Sequence, residues 1–390
     1  MTAVTRILKP LEEFLRVETA SGLVLLAAAG AALALANSGM HGTFAAFWDA
    51  PRLPGQLSLH FLVNEVLMAV FFLVVGLEIR REIHEGALST LSQAALPLLA
   101  AAGGILAPAL IYLALTGEAA LNGWAIPTAT DIAFAVGVLA LLGRRVSPSL
   151  RVLLLAIAIA DDIAAVLIIA LFYAGGIAPL GLVIAAAGAG LAVLGHRIGL
   201  NAWLASLLPG AIVWYGLLQA GIHPALAGVV IGVLAPMKAP RAGVEAPAIR
   251  LESALHPWVA FGIMPLFALV NAGVRLEGLD LAGTEARGLA TGIALGLAIG
   301  KPVGIVAAAV VAVRARLAVM PEGVTPAGIA VISCLGGIGF TMSIFIAALA
   351  FTEPATLAIA TFGVLAGSAI AAIAGLLLGA FLLRPAAASR

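Results

Sequence analysis

Twelve stretches of mostly apolar residues, each near the length that crosses a bilayer, take up this chain and leave little between them. A membrane-spanning helix needs roughly 20 such residues. Candidates lie at 20–37, 58–78, 93–115, 124–143, 150–174, 177–196, 202–217, 222–236, 255–274, 288–313, 327–350 and 356–383. Charged residues make up only 10% of the 390, against roughly 25% in an ordinary soluble protein. So few charges cannot clothe a water-soluble surface. The expected fold is an all-α integral membrane protein of about twelve transmembrane helices. It reads as a single polytopic domain over 1–390, because no hydrophilic stretch is long enough for a separate soluble domain. The run after residue 19 lacks a small-residue cleavage site, so it is expected to be a retained first span and not a removed signal peptide.

The basic residues test this partition. In short loops Lys and Arg collect on the cytoplasmic side. Sixteen of the twenty fall at the termini or in even-numbered loops, among them Arg6, Lys9, Arg16, Arg144, Arg145, Arg241, Arg384 and Arg390. Three, Arg52, Arg275 and Arg287, fall in odd-numbered loops, and Lys301 lies inside a span. Both termini are therefore expected in the cytoplasm. No basic tract points to nucleic acid, and a single cysteine, Cys334, excludes an intrachain disulfide or a Cys-rich metal site.

A charge at mid-membrane costs roughly 2.5–3.5 kcal/mol on insertion scales, so each one needs a partner or a purpose. Asp131 falls in the fourth span, Asp161 and Asp162 in the fifth, and Lys301 in the tenth, while Glu65 and Glu78 bracket the second. Adjacent helical residues point about 100° apart. Asp161 and Asp162 therefore cannot form one symmetric chelate, and one can face a water-filled cleft while the other meets Lys301. A purely structural ion cluster is the competing reading. Three acids to one base leave negative charge over, and an excess of buried carboxylate is what a cation site requires.

The fourth span contains Pro127-Thr-Ala-Thr130-Asp131, and the eleventh contains Gly336-Gly-Ile-Gly339. Proline removes a backbone donor and disfavours helix at the residue before it. Paired interruptions in two halves of a chain are the best sequence pointer to a transporter's binding site. The glycines taken alone read equally as close helix packing. Half-helix ends facing each other oppose their dipoles, and Asp131 and Lys301 suit the positive and negative ends respectively. Gly292, Gly296 and Gly300 form a small-residue packing stripe. Gly296 to Lys301 only mimics a phosphate loop, being one residue short and followed by Pro302, so gradients and not ATP must drive any transport. Near the cytoplasmic edge, Glu78, Arg80, Arg81, Glu82, Glu252 and His256 form either an ordinary interfacial rim or a regulatory cluster.

Other classes fit less well. A channel would carry a symmetric filter repeat, which is not found. An intramembrane aspartyl protease needs its two aspartates on different helices, and Asp161 and Asp162 are neighbours on one. A symporter of a small organic anion is the stronger alternative, although it would not need so much excess negative charge.

The motifs together resemble the NhaA-type sodium/proton antiporters of bacterial inner membranes. The match runs through Leu67-Met-Ala-Val-Phe-Phe-Leu73, Gly76-Leu-Glu78, Gly123-Trp-Ala-Ile-Pro127 onward to Leu142-Gly143, and Ala160-Asp161-Asp162. It continues through Leu255-His256-Pro-Trp258, Asn271-Ala-Gly273, Ile299-Gly-Lys301-Pro302 and Gly336-Gly-Ile-Gly-Phe-Thr-Met-Ser343. The resemblance implies twelve spans with inverted repeats and a crossed pair of interrupted helices at spans four and eleven. It implies a homodimer in the inner membrane, without a cofactor, that exchanges Na⁺ or Li⁺ for more than one proton. Asp162 then matches the main cation and proton carboxylate, and Asp161 its companion, paired to Lys301 in one state. Thr130 and Asp131 match the broken-helix assembly. Glu78, Glu252 and His256 match a cytoplasmic funnel associated with activation at alkaline pH, with Arg81 and Glu82 beside them. Ile249 and Ser253 stand where relatives can carry Lys and His, and Glu65 stands where an Asp can occur. These departures bear on the pH response and leave the exchange site untouched.

Overall fold

A bilayer offers no water to backbone amides, so a spanning segment must close its own hydrogen bonds, and the helix does this within one segment. The computed structural model of the chain describes residues 3–176, 178–238 and 245–383, with the backbone alone for residues 3–19 and 119. In chain order the helices are α1 (Ala3–Ala36), α2 (His41–Asp49), α3 (Leu59–His84), α4 (Leu91–Leu115), the tight 3₁₀ segment α5 (Glu118–Thr128), α6 (Ile132–Leu141) and α7 (Pro148–Phe172). There follow α8 (Pro179–Arg197), α9 (Ala202–Ala220), α10 (Leu226–Leu234), α11 (Pro247–Asn271), α12 (Thr284–Arg314), α13 (Pro326–Gly336), α14 (Phe340–Ala350) and α15 (Pro354–Leu382). A short antiparallel hairpin, β1 (Pro51–Leu53) with β2 (Leu57–Ser58), interrupts this helical order. Proline opens α7, α8, α11, α13 and α15. At the first helical position its missing N–H costs nothing and its fixed φ already suits the helix. Asn201 caps α9 by accepting from Trp203 N–H, and Gly221, at φ 76°, ends it.

Among the described residues eight helices are long and apolar enough to cross a membrane, or up to eleven if each of three bent pairs counts as one span. Residues 222–236, expected to span, form only the nine-residue α10. At 1.5 Å per residue α10 is about 14 Å long, short of the roughly 30 Å hydrocarbon core. Pro224 and Pro236 bound it and disfavour helix at the residues before them. The side chains of Arg6, Lys9 and Arg16, and all of Arg241, Arg384 and Arg390, on which the expected sidedness leaned, lie outside the described residues.

The chain divides into two compact units. The first comprises Met1–Ser38, Leu91–Asp162 and Asn271–Arg390, and the second Gly39–Thr90 and Ile163–Val270. In the first, α12 packs along α4 and α15, α1 along α6, and α13 against α15. Small residues allow these approaches. A Cβ on Gly296 would lie 2.7 Å from the Pro127 Cβ, and one on Gly300 2.8 Å from the Pro108 Cα, so this stripe is a packing surface. In the second unit α8 packs along α9, and α3 along α10, where a Cβ on Gly76 would lie 2.8 Å from the Val229 carbonyl oxygen. The helix α7 passes from the first unit to the second immediately after Asp162.

Candidate functional site

Two helix breaks meet in the first unit. The axes of α5 and α6 differ by 43°, as do those of α13 and α14. Past Pro127 the chain leaves helix at Ala129 (ψ 153°) and re-enters it after Asp131 (φ −88°, ψ 101°). The α13–α14 break carries three glycines, yet none has positive φ. They serve space instead: a Cβ on Gly337 would strike the Leu297 carbonyl oxygen and lie 3.0 Å from that of Cys334. The breaks are joined directly. Asp131 N–H donates to Ile338 O at 2.7 Å, and Thr130 Oγ1 lies 2.8 Å from Gly336 O.

Broken helices expose backbone groups and their dipoles, and at membrane depth side chains must answer both. Asp131 answers the two positive ends. Its Oδ1 accepts from Phe134 N–H at 3.0 Å at the start of α6. Its Oδ2 accepts from Thr341 N–H at 3.1 Å at the start of α14, and also from the Thr341 hydroxyl. Lys301 answers a negative end, its Nζ donating to Thr128 O at 2.5 Å where α5 stops. Ser343 donates to Ile126 O at 2.6 Å, and Ser368 Oγ accepts from Phe340 N–H at 3.1 Å. Replacing Asp131 with alanine strands donors at both N-termini. Asp131→Ala is expected to cost about 2–4 kcal/mol, a lost cap plus an unsatisfied buried amide. The loss should appear as a lower thermal midpoint of the detergent-purified protein, and an unchanged midpoint would remove Asp131 from this role.

Asp161 and Lys301 form the ion pair at the centre of this assembly, with Nζ 2.8 Å from Oδ2 and neither side chain reaching solvent. Thr130 Oγ1 lies 2.7 Å from the same oxygen. A hydroxyl has one proton to give, so Thr130 divides it between Asp161 and Gly336 O. The other oxygen, Asp161 Oδ1, is buried and accepts no hydrogen bond among the described residues. Asp162, 3% exposed, is the next residue on α7, and its charge also acts on Lys301. The turn before Lys301, Gly296–Gly300, is loosened to π-helix, a distortion that occurs often at functional sites. Gly104 lets α4 approach α12 beside the lysine, since a Cβ there would lie 2.8 Å from Ile305 Cγ1.

The remaining sequence candidates lie in the second unit. Arg81 bonds Glu252 and sits 3.6 Å from Glu82, whose Oε2 accepts from Ala87 N–H at 2.8 Å. His256 is near enough for its charge to act on Glu252, and Glu78 lies one turn before Glu82 on α3. Glu65 occupies a second loosened turn, Leu62–Leu67, with His223 Nε2 at 3.5 Å. Sequence reasoning stopped at the edge of the α13–α14 break and missed the roles of Thr341, Ser343 and Ser368. A hydroxyl just past the glycines was a usable signal for the first two. Ser368 is distant in sequence and carried none.

Buried charges gathered at two joined helix breaks, within long apolar helices, define a multi-pass membrane protein of the transporter class. The chain belongs to the Na⁺/H⁺ antiporter 1 family, whose model matches residues 12–378. It is 48% identical to the Na(+)/H(+) antiporter NhaA of Janthinobacterium sp. (strain Marseille), over 96% of this chain and 94% of that protein. It is likewise 48% identical to the protein of the same name from Bordetella petrii, over 97% and 92%. To the Na(+)/H(+) antiporter NhaA 2 of Pseudomonas putida (strain KT2440) it is 46% identical, over 97% and 94%.

Proposed function

We propose that this protein is a secondary transporter of the bacterial inner membrane that extrudes Na⁺ or Li⁺ in exchange for protons. The observation that carries the reading is the buried Asp161–Lys301 pair beside Asp162, with one Asp161 oxygen still open to a further ligand. The names of the relatives point the same way.

Asp162 is the main carboxylate for both cation and proton, with Asp161 its companion. A cation and a proton cannot both neutralise the same oxygens, and that competition couples the two fluxes. When Asp161 turns from Lys301 to the cation, the lysine loses its partner and can release a proton as well. Exchange is then electrogenic, with more than one proton for each cation. Thr130, Asp131 and Lys301 keep the breaks assembled while the ligands change. The reading includes twelve membrane segments in inverted repeats with α10 as a short member, crossed interrupted helices, cytoplasmic termini and a homodimer.

Arg81, Glu82, Glu252 and His256, with Glu78 one turn away, set the pH response. Glu252→Gln removes the charge that holds Arg81 and faces Glu82 and His256. It is expected to displace the pH of half-maximal exchange while leaving the maximal rate near that of the wild type. An unchanged profile would dissociate this cluster from regulation.

The test is exchange in everted vesicles holding an acid-inside gradient, read with a pH-sensitive dye as Na⁺, Li⁺ or K⁺ is added across neutral to alkaline pH. Dequenching on Na⁺ or Li⁺ supports the reading. Silence toward every cation, with the protein verified in the membrane, would shift it to symport of a small organic anion.

A further inference from the structure

A second group of cations lies apart from the helix breaks, around the start of α7. Arg144, Arg145 and Arg151 fall close together, and no acid occurs between Asp131 and Asp161. Arg145 lines a cavity of about 360 Å³ within the first unit, together with Ser147, Gly323 and Thr325. Leu150, Leu382 and Leu383 complete the wall. Arg145 donates to Ala380 O near the end of α15, and Ser147 Oγ donates to Gly323 O at 3.2 Å, so the two loops and the helix end around the cavity are tied together. Arg151 donates to Gly143 O at 3.2 Å, while its buried Nε makes no hydrogen bond among the described residues. Ser147 and Thr325 also cap α7 and α13, accepting from Leu150 and Gly328 N–H, so two positive helix ends add to the arginines. The one nearby acid in sequence is Glu322, an exposed residue beside Gly323.

The wall is chemically two-sided. Its polar part offers the Arg145 guanidinium and the Thr325 hydroxyl, which suit a phosphate. Its leucines adjoin exposed apolar side chains at the end of α15, with Leu382 47% and Phe381 83% exposed. A free anion uses only the polar part. A phospholipid uses both, and basic pockets at the ends of spanning helices are where anionic headgroups bind. A zwitterionic headgroup brings an ammonium that the arginines disfavour.

We propose that this cavity binds the phosphate of an anionic phospholipid, with Arg145 supplying the charge and Leu150, Leu382 and Leu383 receiving the start of its acyl chains. The test is native mass spectrometry of the full-length protein in detergent, with phosphatidylglycerol or phosphatidylcholine added. Phosphatidylglycerol is expected to be retained in preference, and retention should fall about fivefold in Arg145→Gln, the usual worth of one basic residue near anionic lipid. Arg145→Lys keeps the charge and should keep most of the preference, which separates loss of charge from loss of fold. Should Arg145→Gln fail to fold, Leu382→Trp fills the apolar part of the cavity and is expected to lower retention as well. Equal retention of both lipids by the wild type would overturn the proposal. So would unchanged phosphatidylglycerol retention in a folded Arg145→Gln or Leu382→Trp protein. Displacement by millimolar inorganic phosphate alone would identify a free-phosphate site and overturn it too.

Discussion

Asp162→Asn is expected to abolish exchange while leaving the protein folded. The amide keeps the shape of the carboxylate but carries no charge and takes up no proton in the physiological range. A unit charge about 4 Å from a cation contributes about 4 kcal/mol at an effective dielectric of 20, so its loss should lower cation affinity by roughly three orders of magnitude. Proton coupling disappears with it, because the group for which the two ligands compete is gone. Folding should be spared, since removing a buried charge relieves a desolvation cost. The measurement is Na⁺-dependent dequenching in everted vesicles, paired with a thermal midpoint of the purified protein. A variant that exchanges at half the wild-type rate or more would show that Asp162 is not the central ligand, and attention would pass to Asp161. A variant that neither folds nor exchanges would reveal a structural duty instead.

Lys301→Ala carries the second large effect, and it falls on stability. Removing the lysine leaves Asp161 as a buried, uncompensated charge and Thr128 O without its donor. Breaking a buried pair from one side typically costs about 3–5 kcal/mol. Lys301→Ala should therefore lower the thermal midpoint strongly. In Lys301→Met with Asp161→Asn, by contrast, both charges go together and most of the loss should be recovered. The coupling between the two sites from a double-mutant cycle should reach about 1–3 kcal/mol. Additive losses would mean that Lys301 stabilises the fold through its bond to the α5 carbonyl and not through Asp161. The two experiments complement each other, one reading a charge needed for the ligand and the other a charge needed for the assembly.

Much of this arrangement was legible from residue types because few residue types are tolerated in a membrane. A charge that must be desolvated draws attention wherever it occurs, which is how Asp131, Asp161, Asp162 and Lys301 stood out against an apolar background. The interruptions were legible for a related reason: Pro127 and the glycines at 336–339 are costly in a helix unless a break is needed. For those glycines the packing reading, offered beside the broken-helix one, also holds. Close approach to Leu297 demands Gly337 and Gly339, and the φ angles of all three are ordinary. Residues 222–236 were legible only in part, since hydropathy measures an apolar run without asking how much of it can remain helical between two prolines.

What the sequence determined by itself was the solvent and the vocabulary: a bilayer, helices, their approximate ends, and the few ionisable groups placed where they are expensive. Those follow from local composition, because transfer into hydrocarbon depends on each segment alone. Which oxygen meets which donor was decided only in three dimensions. Asp131 reaches Thr341 across 210 positions, Thr130 reaches Gly336 across 206, and Lys301 reaches Thr128 across 173. No periodicity encodes such partners. They are selected when broken backbone ends are shut away from water and must find whatever polar groups the packing of the helices brings within reach.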